Sequence, residues 1–110
     1  MPETRLHDLA TFDRALQGPR VLLFKHSPAC PISAEAEAHY EAFCRELPDA
    51  PTLFVDVLAD RAVARGIAAR CGVRHESPQA ILFEQGRPVW HASHRAITLG
   101  ALHAAWAPRC

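Results

Sequence analysis

The sequence predicts an α/β fold, a central mixed β-sheet with helices on both faces, and three observations carry that expectation. Val21-Leu22-Leu23-Phe24 and Thr52-Leu53-Phe54-Val55-Asp56-Val57 are short apolar runs of the kind found in strands buried on both faces. Segments with apolar residues at helical spacing alternate with them. Gln85-Gly86-Arg87 is a turn signal between two more strand-like runs, so part of the sheet turns antiparallel.

The elements follow in order. Leu9, Phe12 and Leu16 mark a first helix, which Gly18-Pro19 ends. The strand at 21–24 comes next, then a helix carrying Ile32, Ala36, Tyr40, Phe43 and Leu47, with Pro48 just beyond. After the strand at 52–57, Val63, Ile67 and Cys71 share a face of a third helix, and Gly72 supplies its C-terminal stop. Pro78 precedes the strand Ala80-Ile81-Leu82-Phe83, the turn leads into Pro88-Val89-Trp90-His91-Ala92, and Thr98 opens a last helix with Leu99, Leu102 and Trp106. The order α-β-α-β-α-β-β-α resembles the thioredoxin plan. Phe24, Phe54, Phe83, Trp90 and Trp106 are the expected aromatic core.

The chain of 110 residues is expected to form one domain. Its 12 basic and 12 acidic side chains are spread evenly, without a basic run or face, which argues against nucleic acid and anionic membrane as partners. Its start lacks the apolar stretch of a signal peptide and no apolar run approaches the ~20 residues of a membrane span, so a cytoplasmic protein is expected.

Four cysteines, Cys30, Cys44, Cys71 and Cys110, are present. Paired frameworks belong to secreted domains. A single helix over residues 31–47 would hold Cys30 and Cys44 about 20 Å apart at ~1.5 Å per residue, whereas a disulfide needs Cα atoms within about 7 Å. The thiols therefore have separate duties. Cys44 and Cys71 are expected as buried helix residues, and either is an alternative resolving thiol. Cys110 is a candidate for intermolecular pairing. His91 and His94 are the nearest approach to a metal pair, but on a strand they point to opposite faces and no four-ligand set completes them, so no metal is expected. There is also no Gly-rich phosphate loop, so no tightly bound nucleotide or flavin is expected.

The chemistry concentrates in Lys25-His26-Ser27-Pro28-Ala29-Cys30-Pro31-Ile32-Ser33. This segment leaves a buried strand and enters a helix at a cysteine. Pro31 suits the first helical position, where its missing N–H costs nothing, which places Cys30 at the N-cap. There a sulfur meets unpaired N–H groups and the positive end of the helix dipole, and both favour the nucleophilic thiolate. Ser33 stands where a dithiol protein has its second cysteine, so the motif is Cys-x-x-Ser and an outside thiol or a distant cysteine must resolve a mixed disulfide. Two readings of Ser33 stand open, a hydrogen-bond donor to the thiolate or a helix residue without chemical duty. Lys25, the only lysine, either acts on the thiolate or is a solvated strand-end charge. His26, projecting to the other side of the strand, either shuttles protons or hydrogen-bonds within the loop.

Lys-His-Ser-x-x-Cys-Pro-Ile-Ser, Arg74-His75-Glu76-Ser77-Pro78-Gln79-Ala80-Ile81-Leu82 and Val89-Trp90-His91-Ala92-Ser93-His94 together resemble the monothiol bacilliredoxins. The resemblance implies a thioredoxin fold and a thiol-disulfide oxidoreductase in which Cys30 removes bacillithiol, a small thiol that replaces glutathione in some bacteria, from client proteins carrying it as a mixed disulfide. Bacillithiol would be a co-substrate and a low-molecular-weight thiol the partner that frees Cys30. By the same resemblance Ser77-Pro78 is the cis-proline site beside the nucleophile, where the Ser77 backbone faces an extended substrate. Two other readings are a redox-regulated adaptor switched by capping of Cys30, and a reductase or peroxidase that uses Cys44, Cys71 or Cys110 to resolve.

Overall fold

The computed structural model describes residues 3–108, so Cys110 lies outside the described residues. The elements are β1 (Glu3–Arg5), α1 (Leu9–Ala15), β2 (Arg20–His26), α2 (Pro31–Glu46), β3 (Thr52–Asp56), α3 (Arg61–Cys71), β4 (Gln79–Glu84), β5 (Arg87–Ser93), a 3-10 turn (His94–Ala96) and α4 (Leu99–Trp106). Five strands form one sheet in the order β1-β3-β2-β4-β5. β1, β3 and β2 run parallel, while β4 pairs antiparallel with β2 and with β5. The fold is a mixed sheet between helices, thioredoxin-like in plan.

Alternation along the central strand builds two cores. Leu22 and Phe24 enter a cluster with Tyr40, Phe43, Phe54 and Leu102 beneath α2 and α4. Val21 and Leu23 enter the opposite cluster with Phe12, Leu53, Ile67 and Phe83 beneath α1 and α3. Each fully buried side chain of this size contributes roughly 1.5–3 kcal/mol. Phe24 and Tyr40 stack with ring centroids 4.7 Å apart, so the second half of α2 is locked to β2. Trp90 and Trp106 differ from expectation: both are only half-buried and pack against the rim of the first cluster. Trp106 instead offers a face to Arg20, whose guanidinium carbon lies 4.2 Å from the ring centroid.

Local signals set the boundaries. Asp8 caps α1 by accepting from the Thr11 N–H, and Thr98 caps α4 by accepting from the Ala101 N–H. Gly72 ends α3 at φ 74°, the left-handed conformation that favours glycine. Gln85 and Gly86 both have positive φ, which makes the β4–β5 connection a two-residue hairpin of the primed type. β1 and the 3-10 turn are not visible in the sequence pattern: each has three residues, too few for periodicity to show.

Candidate active site

Cys30 is the N-cap of α2 with extended backbone, φ −116° and ψ 120°, and Pro31 follows at the first helical position. The Cys30 N–H donates to the Ser27 carbonyl at 3.2 Å, and its carbonyl accepts from the Ala34 N–H at 3.1 Å. The loop from Ser27 to Ala29 is thus a tight turn that hands the chain from strand to helix. The Cys30 side chain is half-buried and makes no capping hydrogen bond to the helix. Pro28 and Ala29 before it are exposed, which leaves the sulfur approachable from outside.

Ser33 is wholly buried. Its Oγ accepts from the Ser27 N–H at 2.8 Å and lies 2.9 Å from His26 Nδ1. Neither sequence reading of Ser33 describes this arrangement: the hydroxyl pins the loop and the histidine to the first turn of α2. The two readings of His26 are a proton shuttle or a hydrogen bond within the loop; its partner is instead Ser33 in the first turn of α2. Its ring stacks on Phe24 at 6.1 Å between centroids, and its Nε2 faces Glu37 Oε1 at 3.7 Å. Glu37 has no part in the sequence reading, although it follows Ser33 by one helical turn on the same face as Cys30 and Ser33. That spacing of three and four residues is the signal that finds it.

Lys25 corrects the expectation of a solvated strand-end charge. It is wholly buried, because β2 continues past Phe24 to His26 and alternation turns residue 25 beneath α3. Its Nζ donates to Gln79 Oε1 at 3.0 Å, and Gln79 Nε2 donates onward to the Arg74 carbonyl at 2.9 Å. Burial pulls the lysine down to about 8, opposed by nearby Cys71 and Glu76. Lys25 therefore addresses the face opposite His26, and the sulfur that it feels there is that of Cys71. His75 is also held below its ordinary range, first by burial and then by Lys25 and Arg65.

Lys25 pairs with Gln79 across β2 and β4, so Pro78, just before β4, comes beside His26 at the end of the sheet where the Cys30 loop sits. The Ser77–Pro78 peptide is cis. Pro78 is buried and Ser77 half-buried; the ladder starts only at Gln79, and the Pro78 carbonyl accepts from the His94 N–H at 3.0 Å. The Ser77 Oγ is shielded from solvent and has no hydrogen-bond partner.

The remaining described thiols are elsewhere. Cys30, Cys44 and Cys71 are all free and half-buried. Cys44 lies 14 residues along α2 from Cys30, about 21 Å at ~1.5 Å per residue, far beyond disulfide reach. Burial raises its thiol above the ordinary range. Cys71 ends α3 and packs against the second core cluster.

A cysteine at a helix start, a proline after it, and a cis X-Pro loop at the same end of a mixed sheet fit the thioredoxin fold, and the family match and a relative of 32% identity make the protein a thioredoxin-fold thiol oxidoreductase. A family model described as "Monothiol bacilliredoxin BrxC" matches residues 4–102, and the chain belongs to that family. It is 32% identical to a solved thioredoxin-fold structure described as a candidate oxidoreductase, with 96% of this chain and 94% of that one covered and a TM-score of 0.88. Mitochondrial thioredoxin 3 of Saccharomyces cerevisiae is 18% identical over 93% of this chain and 91% of that one, with a TM-score of 0.73. A mutant thioredoxin of Halobacterium salinarum is 22% identical over 94% of this chain and 86% of that one, also with a TM-score of 0.73. These two likenesses concern the fold.

Proposed function

We propose that this chain, working as one domain in the cytoplasm, removes bacillithiol from proteins that carry it as a mixed disulfide, with Cys30 as the nucleophile. The observation that carries the reading is Cys30 at the N-cap of α2 in a chain of the monothiol bacilliredoxin family. The Cys30 thiolate attacks the bacillithiol sulfur of the mixed disulfide. A bond forms between Cys30 Sγ and that sulfur, the bond to the client breaks, and the client cysteine leaves as a thiolate that takes a proton from water. A second low-molecular-weight thiol then attacks the small thiol's sulfur and releases Cys30. Because residue 33 is serine, no neighbouring sulfur competes with that second thiol.

Each supporting residue has a place in this cycle. Pro31 fixes the helix start, and Ser33 with His26 holds the loop behind the sulfur. The Ser77 backbone, outside the β4 ladder, faces an extended client segment, with Pro78 against the loop. Lys25 acts from the other face of the sheet, tying β4 and the 74–78 loop to β2 through Gln79. Bacillithiol is a co-substrate, and no tightly bound cofactor enters the cycle.

The test is multiple-turnover release of a client protein from its bacillithiol mixed disulfide, followed by intact mass. The expected result is turnover with a bacillithiol adduct accumulating on Cys30. Stoichiometric capping without turnover would make the chain a redox-regulated adaptor instead. An oxidised protein that loses two hydrogens and gains no small-thiol mass would point to Cys71 or Cys110 as a resolving thiol, since Cys44 is out of reach along α2.

A further inference from the structure

Two arginines flank the Ser77–Pro78 site in the chain's path, and neither is paired. Arg74 opens the loop that leads to Pro78, and its carbonyl is held by the buried Gln79 amide at 2.9 Å. Arg95 lies on the other side. His94 leaves β5 at φ 56°, a left-handed conformation that costs a non-glycine residue energy, and its N–H donates to the Pro78 carbonyl at 3.0 Å. The chain then crosses to α2. The 3-10 turn His94–Ala96 packs against that helix, Ile97 is buried in the cluster beneath it, and the Leu99 N–H donates to His39 Nδ1 at 3.0 Å. Arg95 is the exposed middle residue of that turn. It therefore stands between the Pro78 loop and the helix that opens at Cys30. Among the described residues, neither guanidinium has an ion-pair or hydrogen-bond partner. The neighbouring carboxylates are engaged elsewhere: Glu76 accepts from Ser93 Oγ at 3.3 Å and faces His94 Nδ1 at 3.9 Å, and Glu37 faces His26. Glu35 on α2 is exposed and pairs with neither arginine.

We propose that Arg74 and Arg95 select a small thiol that carries a carboxylate, by attracting that carboxylate while the thiol's sulfur is bonded to Cys30. The proposal rests on Cys30 being the exchanging thiol and names the substrate class of that same site. A guanidinium without a carboxylate of its own is a free fork for one from outside. The small thiol takes part in both exchange steps. Its sulfur bonds to Cys30 Sγ as the client thiolate leaves, and the bond breaks again when a second thiolate attacks, with the electron pair left on Cys30 Sγ. The client is present in the first step only, so cations fixed on either side of Ser77–Pro78 act twice on the small thiol. They also offset the repulsion between an anionic substrate and the Cys30 thiolate. The chain as a whole offers no general attraction, since its 12 basic and 12 acidic side chains balance. A preference for anions must therefore be local.

The test measures transfer to Cys30 from one cysteine peptide that carries mercaptosuccinate, 2-mercaptoethanol or cysteamine as a mixed disulfide, with the adduct quantified by intact mass. Selectivity is the rate for mercaptosuccinate relative to that for 2-mercaptoethanol. In the wild-type protein it should fall as salt rises from about 0.01 M to about 1 M, where the Debye length shrinks from ~30 Å to ~3 Å. Cysteamine should show the opposite trend. Two anions without the arginines would repel, and their exchange would speed up with salt instead. Arg95→Gln and Arg74→Gln should each lower the selectivity about 2- to 5-fold at low salt, the range of an exposed ion pair. An arginine that serves only the fold would slow all three peptides alike and leave the selectivity unchanged, and that result overturns the proposal. So does a wild-type selectivity that does not respond to salt. A second pair of peptides, with Asp or Asn beside the cysteine and 2-mercaptoethanol as the small thiol, separates the sources of the carboxylate. An Arg95-dependent preference for Asp as large as that for mercaptosuccinate would move the carboxylate to the client and overturn the proposal. Failure of Cys30 to take up any of the three thiols overturns the functional reading itself, and the proposal with it.

Discussion

Lys25 Nζ donates to Gln79 Oε1 at 3.0 Å across paired positions of β2 and β4, and both residues are wholly buried. A charge in such a place costs stability whenever the unfolded chain would hold the same charge in water. The ordinary lysine value is 10.5, and burial brings Lys25 to about 8. Below about 8 both states are protonated and the full penalty stands; between about 8 and 10.5 the unfolded state binds more protons, so stability rises with pH.

Lys25→Met should therefore unfold at higher denaturant than wild type near neutrality, with an advantage on the order of 1–3 kcal/mol before the cost of leaving Gln79 Oε1 unpaired. The difference between the two proteins should shrink as pH rises from 8 to 10.5. Lys25 is the only lysine, so no other lysine contributes to that window. Parallel stability curves across the window would refute the assignment.

Cys30→Ser should abolish thiol exchange, because no other described thiol stands at a helix start. Cys44→Ser should retain most of it, since that sulfur sits about 21 Å along the helix. Turnover assays on both variants check this, and an inactive but folded Cys44→Ser would require a second redox thiol.

Ser33→Cys should place two sulfurs three residues apart at a helix start and allow a disulfide to close under mild oxidation. Intact mass should then show loss of two hydrogens where wild type accumulates the small-thiol adduct. The reduced variant should also lose about 1–2 kcal/mol, because the Ser27 N–H and the His26 ring give up a good oxygen partner. A variant as stable as wild type would mean that the Ser33 hydrogen bonds contribute little.

Tyr40 Oη lies 2.8 Å from Glu3 Oε2 and 3.0 Å from Thr52 Oγ1, so one phenol joins α2 to both β1 and β3. Burial pushes that phenol well above its ordinary range, so it remains protonated and donates to the carboxylate. Tyr40→Phe should cost about 1 kcal/mol and speed hydrogen exchange at Leu6, whose N–H donates to the Phe54 carbonyl. Exchange unchanged at Leu6 would show that β1 is held by its ladder alone.

The sequence by itself determined the layered α/β plan, the helix that opens at Cys30, and the family. Those signals are local: continuous apolar runs, 3.6-residue spacing, a proline one residue after a cysteine, and a run of nine residues that resembles one family. β1 escaped because three residues show no period, and its place depends on pairing with β3. Tertiary structure alone decided what the polar side chains beside Cys30 touch. Lys25 and His26 are neighbours in sequence, yet they work on opposite faces, and their partners Gln79, Ser33 and Glu37 come from other elements. The interior position of Lys25 depends on β2 running two residues past its apolar core and on β4 closing beside it. Local patterns report burial of apolar groups well, because those groups need only be out of water. A buried lysine or a buried hydroxyl depends on a specific partner within about 3 Å, and only the assembled sheet supplies it.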